Sequence, residues 1–243
     1  MPWSLQGRVA VVTGGSCSIG RSIILAIAQR EAAAVYCVSR SRAGWWDETS
    51  APIHHAQGDV TSDVDCERII RDAQRRFGTV DLLVNCAGIN KNKLFVRSDD
   101  DDIRQVLDTN VLGSLRMTRA ALKHGGMLVK KDGCVIFIGS VVGLNGNPGQ
   151  VAYAASKSAL HGATASLAKE YGRANIRFNV VSPGLISDSG MSSHLAPEAV
   201  EKWTQSCALG RLGTPEDVAD AVIAVATCRY INGQVVAVDG CMR

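Results

Sequence analysis

The chain has no cluster of basic residues longer than the pairs Arg75-Arg76 and Lys130-Lys131, and its formal charge is only +3 over 243 residues. Nucleic-acid binding needs a concentrated positive face, so no such partner is expected. No apolar run approaches the ~18 residues that a membrane-crossing helix needs, and a membrane partner is not expected either. Eight cysteines are present, yet there is no CxxC and no His pair at zinc spacing, so no metal is expected. Cys17, Cys37, Cys66, Cys86, Cys134, Cys207, Cys228 and Cys241 are scattered, several of them inside apolar strands where a thiol packs as a small hydrophobe. Such cysteines are expected as reduced thiols in a reducing compartment. Because Met1 to Gly7 is short and polar, no secretory signal is expected, and little room is expected for a transit peptide. The expected location is the cytoplasm or, for a mature form, the mitochondrial matrix. None of the five histidines has an acid at triad spacing, which disfavours Ser-His-Asp hydrolysis.

What is present is an ordinary globular balance, 46% hydrophobic and 20% charged. Short β-rich apolar runs alternate with helical stretches. Strands are predicted at Arg8–Val12, Ala34–Val38, Ile53–Gln57, Leu82–Asn85, Gly133–Gly139, Arg177–Val181 and Gln234–Val238. Helices are predicted around Arg21–Glu31, Asp63–Phe77, Asp102–His124, Ala152–Tyr171 and Pro215–Ala226. That order reads as α/β: a Rossmann-type, doubly wound, seven-stranded parallel sheet in three layers, α/β/α. No linker or repeat divides residues 1–243, so one domain is expected. Ser187–Gly210, with Met191, Leu195 and Trp203 among polar residues, reads as an insert placed to act as a lid. The acidic run Asp99–Asp102 is expected at a helix N-terminus, where the dipole favours carboxylates.

The first predicted strand runs directly into Gly14-Gly15-Ser16-Cys17-Ser18-Ile19-Gly20, and a helix follows. A strand, a glycine turn and a helix N-terminus bring backbone N–H groups and a positive dipole end to one point, which suits a pyrophosphate. A glycine turn alone is an ordinary βα connection; its place in the first βα unit gives it weight. The segment resembles the TGxxxGxG turn of the short-chain dehydrogenase/reductase family, with Thr13, Gly14 and Gly20 matching. Ser18 stands where the family has its middle glycine, adding a Cβ and a hydroxyl where a cofactor approaches the backbone. The second strand ends at Val38-Ser39-Arg40-Ser41, where an NAD-preferring enzyme carries an acid for the ribose hydroxyls. Ser39 is neutral, and Arg40 is suited to a 2′-phosphate, with an ordinary surface arginine as the alternative. NADP(H) is therefore the expected cofactor. Asp59-Val60 resembles the family pair whose aspartate accepts from the adenine amino group. Asn85-Cys86-Ala87-Gly88 resembles NNAG, with Cys86 replacing the second asparagine.

Tyr153 and Lys157, four residues apart, project from one helical face. A phenol with its ordinary pKa near ~10 is a poor acid–base group at neutral pH, and a neighbouring ammonium and the cofactor's positive charge are expected to lower it. Alone, this spacing describes an ordinary exposed helix. Ser140, thirteen residues earlier at the end of a strand, falls at the carboxyl edge of the sheet, where ligands bind in such folds. Together with Asn110, these residues match the family's tetrad in order. The resemblance implies hydride delivery from nicotinamide to a carbonyl carbon while Tyr153 protonates the oxygen. It also implies that Ser140 orients the carbonyl, Lys157 tunes Tyr153 and holds the nicotinamide ribose, and Asn110 supports proton resupply. Pro183-Gly184-Leu185-Ile186 resembles the family's PG motif, which closes over the nicotinamide. The family's threonine beyond it is replaced by Asp188, with Ser187 or Ser189 as substitutes.

Within the family the chain is most similar to 3-oxoacyl-[acyl-carrier-protein] reductases and carbonyl-reductase-4-like proteins. The likeness is carried by Ala87–Asn90, Gly139–Gly143 with Gly146–Gln150, Leu209–Gly213, and Ile231–Val235 with Val238–Gly240. It implies NADPH-dependent reduction of a small-molecule or acyl-carrier-protein-bound carbonyl in fatty acid synthesis. The alternatives are a dehydrogenase for a steroid, polyol, quinone or other ketone, and a non-catalytic structural subunit of a hetero-oligomeric reductase. Residues 41–57 and 187–207, which shape substrate choice, are least alike. An acidic carrier would suit basic residues near the cleft, and Lys130, Lys131 and Arg173 are the candidates, with solvated surface charge as the alternative. The family implies a homo- or hetero-tetramer through the Ala152–Tyr171 and Asp102–His124 helices. The small residues Ala159, Gly162, Ala163 and Ala165 permit close packing there, although burial within one subunit would favour them equally.

Overall fold

Seven short apolar runs pair side by side, and every pairing is parallel. The computed structural model describes residues 3–42, 44–45, 51–187 and 197–242. The strands are β1 Val9–Thr13, β2 Ala34–Ser39, β3 Ile53–Gln57, β4 Val80–Asn85, β5 Gly133–Ile138, β6 Ile176–Pro183 and β7 Val235–Val238, in spatial order β3-β2-β1-β4-β5-β6-β7. The helices are α1 Ser18–Ala28, α2 Asp63–Phe77, α3 Asp100–Leu107, α4 Ser114–His124, α5 Met127–Lys130, α6 Val142–Asn145, α7 Val151–Tyr171, α8 Pro197–Ser206 and α9 Pro215–Thr227. Strands β1, β2, β4, β5 and β6 are buried along their whole length, which is why they read as continuous apolar runs rather than alternating ones. The period-2 pleat still sorts their side chains: Ala10 and Val12 join the core under α1 and α9, and Val11 joins the core under α2, α4 and α7.

The predicted architecture is the observed one, and the differences lie at element ends. Helix α1 begins at Ser18 rather than Arg21 because Cys17 caps it, its Sγ accepting from the Gly20 N–H at 3.3 Å. It stops before Glu31, whose φ of 58° is left-handed. The predicted helix over 102–124 is divided into α3 and α4 by a wide π-turn at Asp108–Gly113. Gly113 backs directly onto Val60, where an added Cβ would lie 2.8 Å from Cγ2, and the Ser114 hydroxyl donates to the Asn110 carbonyl at 2.8 Å. Asp99 caps α3, accepting from Asp102 N–H at 2.8 Å, as the acidic run suggested. Arg177, buried on β6, donates to the carbonyls of Val225, Cys228 and Ile231 and so closes the C-terminal end of α9.

Residues 188–196 lie outside the described residues, and with them Asp188, Ser189, Met191 and Leu195. The second half of the predicted lid contains α8. Among the described residues no helix is long and apolar enough to cross a membrane, and no group of three or more His, Cys, Asp or Glu is placed to hold a metal ion. The eight cysteines are free thiols, with Cys37, Cys66, Cys134 and Cys207 buried.

Candidate active site

The chain leaves β1 toward β2 and β3, then returns to β4 on the other side of β1. At that reversal the connections diverge and a crevice opens at the carboxyl edge. Its volume is about 890 Å³, and its walls are the segments that follow β1 through β6. Gly14 has φ 73°, and its missing Cβ is what lets the β4 turn approach: an added Cβ would lie 2.8 Å from the Ala87 nitrogen. The Thr13 hydroxyl oxygen accepts from the Cys86 and Ala87 N–H groups, both at 3.0 Å, and pins that turn to the end of β1. Gly15 and Gly20 form the floor behind this loop, against Cys37 and the Gly14 carbonyl, and do not line the crevice.

The remaining loop residues, Ser16, Cys17, Ser18 and Ile19, do line it. Ser18 opens α1 with helical backbone, so its Cβ meets no strain. Its hydroxyl is buried without a hydrogen-bond partner. An orphaned hydroxyl beside a glycine cradle at a helix N-terminus fits a phosphate-bearing nucleotide.

Arg40 lines the crevice and is exposed, whereas Ser41 does not line it. Ser39 is buried and committed, its hydroxyl donating to Ser41 O at 2.7 Å and contacting His55 Nε2 at 3.1 Å. Asp59 and Val60 line the crevice, although Asp59 Oδ1 already accepts from the Thr61 N–H and hydroxyl at 2.9 and 2.8 Å. Ala87 and Gly88 face the crevice, while Asn85 is buried behind them with its amide donating to Thr118 Oγ1 at 3.1 Å. Asn85 thus ties the sheet to α4. Pro183, Gly184 and Ile186 form the opposite wall, joined by Leu185, Trp203 of α8 and Met242.

Ser140 follows β5, and its Oγ accepts from the Val142 N–H at 3.2 Å, which fixes its rotamer. Tyr153 and Lys157, one turn apart on α7, are buried in the same crevice, with Nζ 5.6 Å from the phenol ring centroid. Lys157 Nζ donates to the Ile138 carbonyl at 2.7 Å. Burial pushes the Tyr153 phenol up to about 12, with the Ser140 hydroxyl pulling the other way, and burial brings Lys157 down to about 8. The lowering of Tyr153 expected from its lysine neighbour and the cofactor's positive charge is therefore not a property of the protein alone. Desolvation disfavours phenolate and ammonium alike, and in this enclosed site it is the largest influence on each.

Asn110 does not line the crevice. The π-turn aims its amide inward, where Oδ1 accepts from Ile89 N–H at 2.8 Å and Nδ2 donates to Ile89 O at 2.9 Å and Ser156 Oγ at 3.0 Å. Ser156 in turn donates to the Tyr153 carbonyl at 2.7 Å. This link from the π-turn to α7 runs through Ser156, which sequence reading did not single out and which fills the polar position one residue before Lys157. A Cβ on Gly88 would sit 3.3 Å from Asn110 Oδ1 and 3.5 Å from Lys157 Nζ, so glycine leaves open the gap where the three converge.

Lys130, Lys131 and Arg173 precede β5 and β6 and so sit at the amino edge of the sheet, opposite the crevice. In a parallel sheet all strand starts share one edge, so these cations lie away from the cleft of their own chain. Lys130 instead pairs with buried Asp81.

A doubly wound sheet with a nucleotide cradle and a buried Ser, Tyr and Lys in one crevice defines an α/β oxidoreductase. The chain belongs to the short chain dehydrogenase family, whose sequence profile matches residues 8–199. It is similar to "Carbonyl reductase family member 4" of Danio rerio, at 40% identity over 97% of this chain and 98% of that protein. It is also similar to "3-oxoacyl-[acyl-carrier-protein] reductase" of Bos taurus, at 39% over 96% and 97%. The protein of related name from Chlamydia muridarum is 35% identical over 98% of each chain. Members of this family use nicotinamide cofactors.

Proposed function

We propose that the chain is an NADP(H)-dependent reductase that converts a carbonyl to a hydroxyl, with a 3-oxoacyl group on an acyl carrier protein as its leading substrate. The observation that carries this reading is that Ser140, Tyr153 and Lys157 share one crevice with the glycine cradle. When bound, a reduced nicotinamide nucleotide supplies hydride to the carbonyl carbon. Tyr153, neutral up to about 12, gives its proton to the carbonyl oxygen, and Ser140 donates a hydrogen bond to the same atom. Lys157 brings positive charge against the phenol as that proton leaves. Asn110 and Ser156 are positioning residues that hold α7 to the Ile89 segment. Leu185, Trp203 and Met242 offer an apolar wall to an acyl chain, and relatives named for 3-oxoacyl reduction support that choice. The insert over 187–210, with α8 in it, is proposed as the lid over this wall.

Assembly into a tetramer through the outer face of α7 is part of the same reading. Ala159 and Gly162 are exposed there, and nothing lies within 4 Å of where a Gly162 Cβ would sit.

The discriminating experiment measures NADPH oxidation with acetoacetyl thioesters beside a panel of steroid, polyol-derived and quinone carbonyls. Preference for the thioesters is expected; preference for a small ketone would reassign the substrate. Failure to bind either nucleotide would leave a structural subunit. Arg40→Ala is expected to weaken NADPH about 10- to 100-fold, the worth of charge-assisted hydrogen bonds to a 2′-phosphate, with little change for NADH. Equal losses in fluorescence titrations would remove the 2′-phosphate argument.

The pH profile follows from Lys157. As pH rises through about 8 the ammonium loses its charge while Tyr153 stays protonated. Reductive kcat/KM is expected to be level in acid and to fall about tenfold per unit above that point. A profile that stays level until the phenol itself titrates would take Lys157 out of the rate.

A further inference from the structure

We propose that Cys17 and Cys86 form a reversible disulfide across the nucleotide crevice, an oxidative modification site that shuts the cofactor out. The inference rests on the nucleotide-binding reading above and gives that site a regulation. Cys17 sits in the phosphate loop at the cap of α1, exposed; Cys86 sits half-buried in the turn after β4; both line the crevice from adjoining walls. The two loops are held together by backbone features already described: the close approach at Gly14, and the Thr13 hydroxyl gripping the Cys86 and Ala87 N–H groups at 3.0 Å. The Cys17 N–H donates to the Gly14 carbonyl at 3.1 Å, and a Gly14 Cβ would lie 3.0 Å from the Cys86 carbonyl carbon, so the two cysteines are brought to adjoining sides of one narrow gap. Forming an S–S bond of about 2.05 Å requires rotation of both side chains and a shift of the two loops that carry them. Neither sulfur has a part in the proposed reduction.

The pair is chemically unequal. The Cys86 side chain, helped by the Gly20 N–H and opposed by desolvation, draws the Cys17 thiol down to about 7, while the Cys17 side chain and desolvation raise Cys86. Cys17 is thus the nucleophile and Cys86 the resolving thiol. Cys37, which lies beneath Gly15, is buried in apolar surroundings and held up at about 12. With a hydroperoxide as oxidant, the Cys17 thiolate attacks one oxygen; the O–O bond breaks, and a sulfenic acid and hydroxide form. The Cys86 sulfur then displaces the sulfenic oxygen, which leaves with the thiol proton as water. Two thiols give up two electrons and two protons, and hydrogen peroxide becomes two waters. A dithiol returns the pair to the reduced form.

The bridge takes the Cys17 sulfur away from the Gly20 N–H and fills the gap between the phosphate loop and the β4 turn. By reciprocity, bound nucleotide protects the thiols. The test treats the full chain with hydrogen peroxide, with and without saturating NADPH, and follows intact mass, tryptic peptides and NADPH affinity. Expected are a mass loss of about 2 Da and linkage of peptide 9–21 to peptide 77–91. NADPH affinity is expected to drop at least about tenfold and to recover with dithiothreitol, and NADPH is expected to slow the bridging. Cys86→Ser should instead retain a gain of about 16 Da on the Cys17 peptide. Unlinked peptides, linkage to the Cys37 peptide 31–40, or unchanged NADPH affinity of the bridged protein would each overturn the proposal. If the reduced protein binds no nucleotide, the nucleotide-binding reading and the regulatory role fall together, whereas the mapped peptides still decide independently whether the bridge forms.

Discussion

Tyr153→Phe is expected to lower kcat for carbonyl reduction by about 10³-fold or more and to leave NADPH affinity within about twofold. The substitution removes one oxygen and keeps the ring, which is buried and needs no polar partner to pack. What disappears is the proton donor. Ser140 remains beside the carbonyl, but an alcohol is a far weaker acid than a phenol, and its oxygen already accepts from Val142. Lys157 does not substitute either, because its Nζ is turned to the Ile138 carbonyl at 2.7 Å. Single-turnover reduction beside a fluorescence titration separates the two quantities. Residual kcat above about a tenth of wild type would refute the acid role.

Gly14→Ala is expected to cost about 2–4 kcal/mol of stability and at least about 100-fold in nucleotide affinity. Two penalties coincide at this residue. Its φ of 73° strains any residue with a Cβ, and that Cβ would lie 2.8 Å from Ala87 N and 2.9 Å from Ala87 Cα, both of them backbone. The β4 turn must therefore move, and with it the Cys86–Gly88 wall and the Thr13 contacts. Gly7→Ala is the control. Its φ is similar, 70°, but nothing lies within 4 Å of the added carbon. Only the backbone term of about 1 kcal/mol is expected there, with no change in nucleotide affinity. Urea unfolding and NADPH titration of both variants test the comparison; equal losses at the two sites would show that the close approach of the loops carries no weight.

How much was legible in the sequence varies with the range of the interaction concerned. The alternation of apolar runs and helices is a local pattern, and the strands and main helices follow it closely. Asp99 capping α3 is likewise local. The division of the 102–124 helix was not legible, because the π-turn is set by the contact of Gly113 with Val60, distant in sequence. The burial that raises the Tyr153 pKa in the protein alone was not legible for the same kind of reason: a four-residue spacing reports proximity but not desolvation. Lys130, Lys131 and Arg173 were candidates by charge and by rough position in the family, and the parallel sheet carries them to the far edge.

By itself, the sequence determined the α/β class, the order of its elements, the glycine turn and the Tyr153–Lys157 pair, since each depends on neighbours along the chain. Only the tertiary structure decided that Asn110 turns away from the crevice to Ser156, that Ser18 keeps an orphaned hydroxyl, and that Cys17 and Cys86 line one crevice. The last of these depends on β1 and β4 lying side by side, with their end loops in contact through the space a Gly14 side chain would have filled.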